Sequence, residues 1–286
     1  MKVTADELKV ISRLVDDLCG IVLDESKGYL IESRLSDVAA SAGCKTFSEP
    51  YCKVRYDNDA TLREAIVDAI TTNETLFFRD SSPFDVLAHK VLPDIADEIE
   101  RNHRPKRLRI WSAACSTGQE VYSLAITIRE LFIDIDAWDV MITGTDISNS
   151  AVKTASSGRY KAHEIQRGMK DDLLRKYFTN EGNEYKVCDE LRSMATFRQF
   201  NLHDPFVGLG PFDIVMCRNV AIYFAPESRK RLFEKISRVL RPGGYLFVGA
   251  SENLSDLGYQ SQRHCRAIFY QPNAPKPAAT AGVTST

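Results

Sequence analysis

Two short segments constrain this chain more than any other feature: Arg109-Ile-Trp-Ser-Ala-Ala-Cys-Ser-Thr-Gly-Gln-Glu120 and, further on, Thr143-Gly-Thr-Asp-Ile147. An apolar strand runs into small residues, Gly118 supplies a turn, and a helix opens with Glu120. A second strand then ends in Asp146. A doubly wound α/β sheet builds a nucleoside pocket in this way: small residues let the backbone approach the ligand, and an acid at the next strand end accepts hydrogen bonds from ribose hydroxyls. There is one glycine in the turn rather than G-x-G-x-x-G, so the loop suits a nucleoside without a pyrophosphate and argues against a dehydrogenase. Taken alone, the segment also fits an ordinary tight strand-to-helix turn.

Composition narrows the class. The 37 basic and 39 acidic residues leave a net charge of -2, which steers the chain neither to nucleic acid nor to an anionic membrane. No apolar run approaches the roughly 20 residues of a bilayer span. The start, Met1-Lys-Val-Thr-Ala-Asp-Glu-Leu8, has acids where a signal peptide is apolar. A cytoplasmic location is expected. Seven cysteines, scattered from Cys19 to Cys265 without a C-x-x-C, point to reduced thiols. The histidines (His89, His103, His163, His203 and His264) lack metal-ligand spacing, so no metal is expected.

Residues 1–90 read as a helical domain. Thr4-Ala-Asp-Glu7 is a capping box, followed by Leu8, Ile11, Val15 and Leu18 at helical spacing and a stop at Cys19-Gly20. Further helices are predicted over 26–42 and 61–70. A charged segment, Glu98 to Arg107, leads into residues 91–271, where strands (108–113, 140–145, 212–217, 245–250) alternate with helices (120–132, 149–157, 226–240). The strand-like run 266–270 follows too closely for a helical crossover and is expected to be antiparallel, reached through Gly258-Tyr-Gln-Ser-Gln262. Residues 158–200 interrupt the rhythm with a short helix around Leu173–Phe178 and two β-like runs, 184–187 and 195–200, read as an inserted antiparallel subdomain. The Pro- and Ala-rich end, 272–286, is expected to be disordered. The fold class is therefore α/β: a Rossmann-like sheet with an antiparallel end strand, a small inserted β-subdomain and an all-α N-terminal domain.

Several strings carry a specific resemblance. Thr72-Asn-Glu-Thr-Leu-Phe-Phe-Arg79, Ile110 to Glu120, Gly144-Thr-Asp-Ile147, Phe212-Asp-Ile-Val-Met-Cys-Arg-Asn-Val-Ala-Ile-Tyr-Phe224 and Leu240-Arg-Pro-Gly-Gly244 resemble, in order, the motifs of the CheR family. Those are the S-adenosylmethionine-dependent methyltransferases of bacterial chemoreceptors. The T-N-x-T-x-F-F-R and C-R-N-V-x-I-Y-F strings are the most specific. The resemblance implies a glutamate γ-methyl ester made on the receptor's cytoplasmic helical bundle. Basic residues of the N-terminal helices (Lys27, Arg34, Lys53, Arg55, Arg63) are candidates to meet that acidic bundle, although a solvated mixed-charge surface reads equally well. In some members the inserted lobe docks a pentapeptide from the receptor C-terminus. Here the stretch between Phe178 and Leu191 is short against that type, which argues for direct recognition.

The resemblance also implies a site. Asn73 and Thr75 would hold the methionine end of S-adenosylmethionine, with Arg79 near it or near the incoming glutamate; Asn73 and Thr75 also suit a helix-capping turn. Ala114 would contribute backbone contacts and Glu120 a carboxylate for the ammonium, and Glu120 equally favours the first turn of its helix. Asp146 is the ribose candidate, or a cap for the helix opening near Ser148. Asn201 and Leu202 map to adenine recognition. Arg218, Asn219 and Tyr223 follow a strand end, where an open sheet forms its ligand crevice, and Tyr223 is placed to orient the substrate carboxylate or the methyl donor. Phe77, Phe78, Cys115 and Cys217 read as packing. Two alternatives stay open: a carboxyl methyltransferase acting outside chemotaxis, and an S-adenosylmethionine-binding sensor without turnover.

Overall fold

The computed structural model describes residues 1–273. The chain opens with four helices, α1 (Ala5–Cys19), α2 (Gly28–Ser41), α3 (Ser48–Tyr56) and α4 (Ala60–Ile70). The capping box forms as the spacing predicts: Thr4 N–H donates to Glu7 Oε2 over 2.9 Å and Glu7 N–H to Thr4 Oγ1 over 3.3 Å. Ile11, Leu14 and Val15 then turn into a core shared with Ile31, Leu35, Phe47, Val54, Leu62 and Ile66. Helix α3 was not foreseen: its apolar spacing is sparse, with Pro50 and Val54 its buried residues.

After the irregular stretch 71–81, α5 (Ser82–Val86) passes through a π-helical turn (Leu87–Val91) into α6 (Leu92–Arg101). There follow β1 (Arg107–Ala113), α7 (Gln119–Leu131), β2 (Asp139–Asp146), α8 (Asn149–Ser157), β3 (Arg159–Lys161), α9 (Ala162–Gln166), α10 (Asp171–Tyr177), β4 (Phe178–Asn180), β5 (Glu184–Val187), α11 (Asp189–Arg192) and β6 (Ala195–Gln199). The chain continues with β7 (Phe212–Cys217), α12 (Pro226–Val239), β8 (Leu240–Val248), β9 (Tyr259–His264) and β10 (Ala267–Pro272).

One seven-stranded sheet has the order β6-β2-β1-β7-β8-β10-β9. The first five strands are parallel, and β10 runs antiparallel to its two neighbours, β8 and β9. From β1 the chain crosses through α7 to β2 on one side, while β7 crosses through α12 to β8 on the other. The strand order therefore reverses between β1 and β7, and their carboxyl ends open a crevice. Two hydrophobic cores flank the sheet: one gathers α7 and the inserted lobe, and the other packs α12 and the 202–212 loop around Trp111.

Three expectations need correction. Ala195–Gln199 belongs not to the inserted antiparallel sheet but to the main sheet, parallel to β2, with Ile142 opposite Ala195 and Asp146 opposite Gln199. The lobe's own sheet is β3-β5-β4, and two of its strands have only three residues, too few for an alternation to register. Tyr259–Gln262 is part of strand β9 rather than a connection; its polar residues face water along an edge. Pro272 still lies in β10 and Asn273 N–H donates to Gly258 O at 2.9 Å; residues 274–286 of the expected tail lie outside the described residues.

The lobe is locked to the rest by Phe77. This fully buried ring meets Tyr160 edge-on at 5.1 Å and Phe178 at 5.6 Å, while Tyr160 donates its hydroxyl to Thr117 O over 2.8 Å. Phe77→Ala should lower unfolding free energy by about 3–5 kcal/mol, read from urea denaturation. A loss below about 1 kcal/mol would show that the lobe does not rest on this ring.

Candidate functional site

At the switch between β1 and β7 lies a cleft, where an open parallel sheet takes its ligand. Every residue singled out from the sequence lines it: Asn73, Thr75, Arg79, Ala114, Glu120, Asp146, Asn201, Leu202, Arg218, Asn219 and Tyr223. The segments that bring them there are far apart in sequence, so the convergence comes from the fold.

The floor is the β1–α7 turn. Ala114, Ser116 and Gly118 all adopt left-handed backbone (φ 60°, 51° and 95°), which folds the chain tightly back before the helix begins. A Cβ at Gly118 would stand 2.8 Å from that of Ala155 and 3.0 Å from the Tyr160 hydroxyl, so this position requires glycine twice over. Asp146, at the end of β2, is 6% exposed. Its Oδ2 accepts from Ser116 N–H at 2.8 Å and its Oδ1 from Ser148 N–H at 2.9 Å. Burial pushes its carboxyl up from its ordinary value, against the pull of these amides. The cap of α8 is Ser148, whose Oγ accepts from Ala151 N–H. Asp146 thus secures the turn and the cap at once while facing the cleft.

Arg218 organises one wall. Its side chain is 2% exposed. One arm donates to Glu120 Oε2 at 2.8 Å, and the other to Asp80 Oδ2 at 2.9 Å and to Arg79 O at 2.8 Å. Glu120 also accepts from the Ser112 hydroxyl at 2.8 Å, so a ligand would share its carboxylate with two donors already in place. Arg79 sits half-buried between two left-handed residues, Phe78 and Asp80, and reaches back to Glu74 O over 3.1 Å. Phe78 N–H is held by Ser123 Oγ at 2.9 Å, and the Asn73 carbonyl accepts from Ser116 Oγ at 2.8 Å. The 72–79 segment is therefore pinned at three points across the cleft.

The remaining wall joins the two parts of the chain. Asn201 donates to Leu18 O at the end of α1 over 2.8 Å, and its Oδ1 accepts from His203 N–H. Its side chain thus holds a domain contact, leaving one amide hydrogen and the loop backbone to face the cleft. Val22 N–H donates to Tyr223 O at 3.0 Å beside a bridge between Ile21 and Phe224. Asn219, also left-handed, donates its backbone N–H to the buried Glu252 at 3.0 Å, which also takes Gly249 N–H at 2.7 Å.

Sequence reasoning missed Glu252, Ser116 and the N-terminal contributors Cys19, Ile21 and Thr71. Glu252 follows a strand end, so the rule that drew attention to Arg218 would have found it; nothing local marks Ile21. Burial pushes the Cys115 and Cys217 thiols far up, consistent with their reading as packing. Of the candidate basic residues, Arg34 donates to Ile70 O, Thr71 O and Thr72 Oγ1 and Lys53 to Ala42 O; both serve the fold of their own domain.

Comparison with known proteins agrees with this arrangement. The family model described as the CheR methyltransferase SAM-binding domain matches residues 73–268, and that of the CheR methyltransferase all-alpha domain matches residues 6–71. The chain is 42% identical over 263 residues to the chemotaxis protein methyltransferase Cher2 of Pseudomonas putida, covering 90% of this chain and 94% of that one. It is 42% identical to the chemotaxis protein methyltransferase of Vibrio parahaemolyticus, covering 89% and 92%. Identity to that of Borreliella burgdorferi is 35%, covering 96% of both chains. With both family domains matched in order and relatives aligned over nearly their whole length, this chain belongs to the CheR family of S-adenosylmethionine-dependent chemotaxis methyltransferases.

Proposed function

We propose that this protein methylates glutamate side chains on the cytoplasmic helical bundle of methyl-accepting chemoreceptors, forming the methyl esters used in chemotactic adaptation. The observation that carries this reading is the convergence of Asp146, Glu120 and the pinned 72–79 segment on one cleft, with Arg79 and Tyr223 beside it. S-adenosylmethionine supplies the electrophilic methyl on a sulfonium. Asp146 is suited to accept from the ribose hydroxyls, and the 201–202 backbone to contact the adenine. Asn73, Thr75, Glu120, Asn219 and the Ala114 turn surround the amino-acid end.

A glutamate side chain is ionised at neutral pH and needs no strong base to attack a methyl group in line. Catalysis then rests on orientation and on removing water around two opposite charges that vanish together. Arg79 and Tyr223 are the groups proposed to orient the incoming carboxylate. Arg218 is a positioning residue, holding Glu120 and the 79–80 turn.

Recognition is proposed to be direct. The lobe's β4–β5 turn is a tight one, closed by Gly182 N–H on Asn180 Oδ1 at 2.9 Å, and no tethering pentapeptide is invoked. Lys27, Arg55 and Arg63 remain the N-terminal bases offered to an acidic bundle. The location proposed is the cytoplasm, where the receptor bundle lies; among the described residues no helix is long and apolar enough to cross a membrane.

Three outcomes test this reading. Radiolabelled methyl from S-adenosylmethionine should appear on a receptor-sized band in membranes of the source organism and leave as methanol in mild base; a base-stable label would rule out an ester. Asp146→Ala should weaken cofactor binding by about 1–3 kcal/mol, and unchanged calorimetric affinity would remove Asp146 from the ligand. Arg79→Ala should lower kcat by about tenfold or more with cofactor affinity within about twofold; a loss confined to cofactor affinity would place Arg79 away from the reacting groups.

A further inference from the structure

We infer that Val22 and Ile222 form an apolar landing site at the mouth of the cleft for the helix that presents the target glutamate. Most large apolar side chains that reach the surface stand on separate elements, such as Ile133, Val207 and Ile268. Val22, Ile222 and Tyr223 are 41%, 47% and 39% exposed and belong to two segments joined by Val22 N–H on Tyr223 O at 3.0 Å. One segment comes from the N-terminal helical part and the other follows β7. Their neighbours in sequence, Ile21 and Tyr223, line the cleft, while Val22 and Ile222 do not. The exposed pair therefore adjoins the cleft lining without belonging to it, on the side proposed as the opening for a carboxylate.

Continuity with that opening fixes the occupant. A substrate that sends one side chain into the cleft past Tyr223 must cover the adjoining surface with its own backbone. Strands paired in this way lie about 4.8 Å apart, close to the rise of one helical turn, about 5.4 Å. A helix crossing the two segments would set its target glutamate over the opening and the apolar side chain of an adjacent turn over Val22 or Ile222. Arg79 supplies charge inside the cleft, and the rim supplies the apolar contact that selects where on an acidic helix the enzyme stops.

This inference rests on the proposed methylation of a receptor helix, and its test separates the two. Steady-state methylation of receptor-containing membranes is measured with receptor as the varied substrate, for the wild type, the double variant Val22→Ser with Ile222→Ser, and the conservative pair Val22→Ile with Ile222→Leu. The double serine variant should raise KM for receptor about tenfold, as expected from lost burial of two aliphatic side chains. Its kcat at saturating receptor and its cofactor affinity should stay within about twofold, and the conservative pair should restore the wild-type KM. An unchanged receptor KM in the serine variant would overturn the landing site while leaving the methylation reading intact. Cofactor affinity falling in parallel with receptor affinity would also overturn it, by showing that the two segments merely hold the cleft together. A wild type that methylates no receptor would instead remove the reading on which the inference stands.

Discussion

The burial of Arg218 is the constraint around which the site is built. Taking a guanidinium out of water costs several kcal/mol unless its donors are met by acceptors of opposite charge in good geometry. Here Glu120, Asp80 and the Arg79 carbonyl meet two of its arms, and the ring of Phe84 lies 5.9 Å from its centre. The three acceptors come from the start of α7 and from the turn before α5, while the arginine itself follows β7. None of these segments can move away without leaving a charge stranded. The ion group therefore determines where Arg79 stands, although Arg79 contributes only its carbonyl.

That rigidity makes the backbone around the cleft intelligible. Phe78, Asp80, Ala114, Ser116 and Asn219 all hold positive φ, a conformation that costs of order 1–3 kcal/mol for a residue with a Cβ. Four of the five are tied down by a nearby bond: Phe78 to Ser123, Asp80 to Arg218, Ser116 to Asp146, and Asn219 to Glu252. The alanine at 114 has no side chain to compensate and is carried by the strand before it and the turn after it. Concentrating unfavourable backbone where carboxylates and hydroxyls are available to fix it is how a preorganised pocket is made from loops.

How far the sequence showed this in advance depended on whether a feature was local. The strand ending at Ala113, the glycine turn and Asp146 were legible, because a small-residue run followed by an acid has one economical arrangement in a parallel sheet. The T-N-x-T-x-F-F-R and C-R-N-V-x-I-Y-F strings were legible as a resemblance, and their residues do meet at the cleft. Ala195–Gln199 was misplaced because it lies on an edge with alternating exposure, so that neither its pattern nor its neighbours in sequence says whether it pairs with β2 or with the lobe. The carbonyls that Arg34 and Asn201 reach were not legible at all, although Asn201 itself was expected at the cleft it lines. A side chain does not name its partner until the fold places a carbonyl opposite it.

Those two side chains explain how the helical part becomes a wall of the cleft rather than a separate body. A helix leaves its last carbonyls without partners. Asn201 reaches across to donate to the Leu18 carbonyl at the end of α1, and Arg34 donates to the Ile70 carbonyl at the end of α4. Gly20, which ends α1 in the left-handed region, has no room for a side chain: a Cβ there would fall 1.8 Å from the His203 ring. The end of α1 is thus seated directly on the 201–203 loop, and the end of α4 is fastened to the first residue of the 72–79 segment through Arg34 and Thr72. Leu18 O finds its partner on the 201–203 loop, and the arginine of α2 that meets Ile70 O also holds Thr72 at the start of the 72–79 segment. The side chains that satisfy these two helix ends are thus the same ones that hold the 201–203 loop and the start of the 72–79 segment against the helical part.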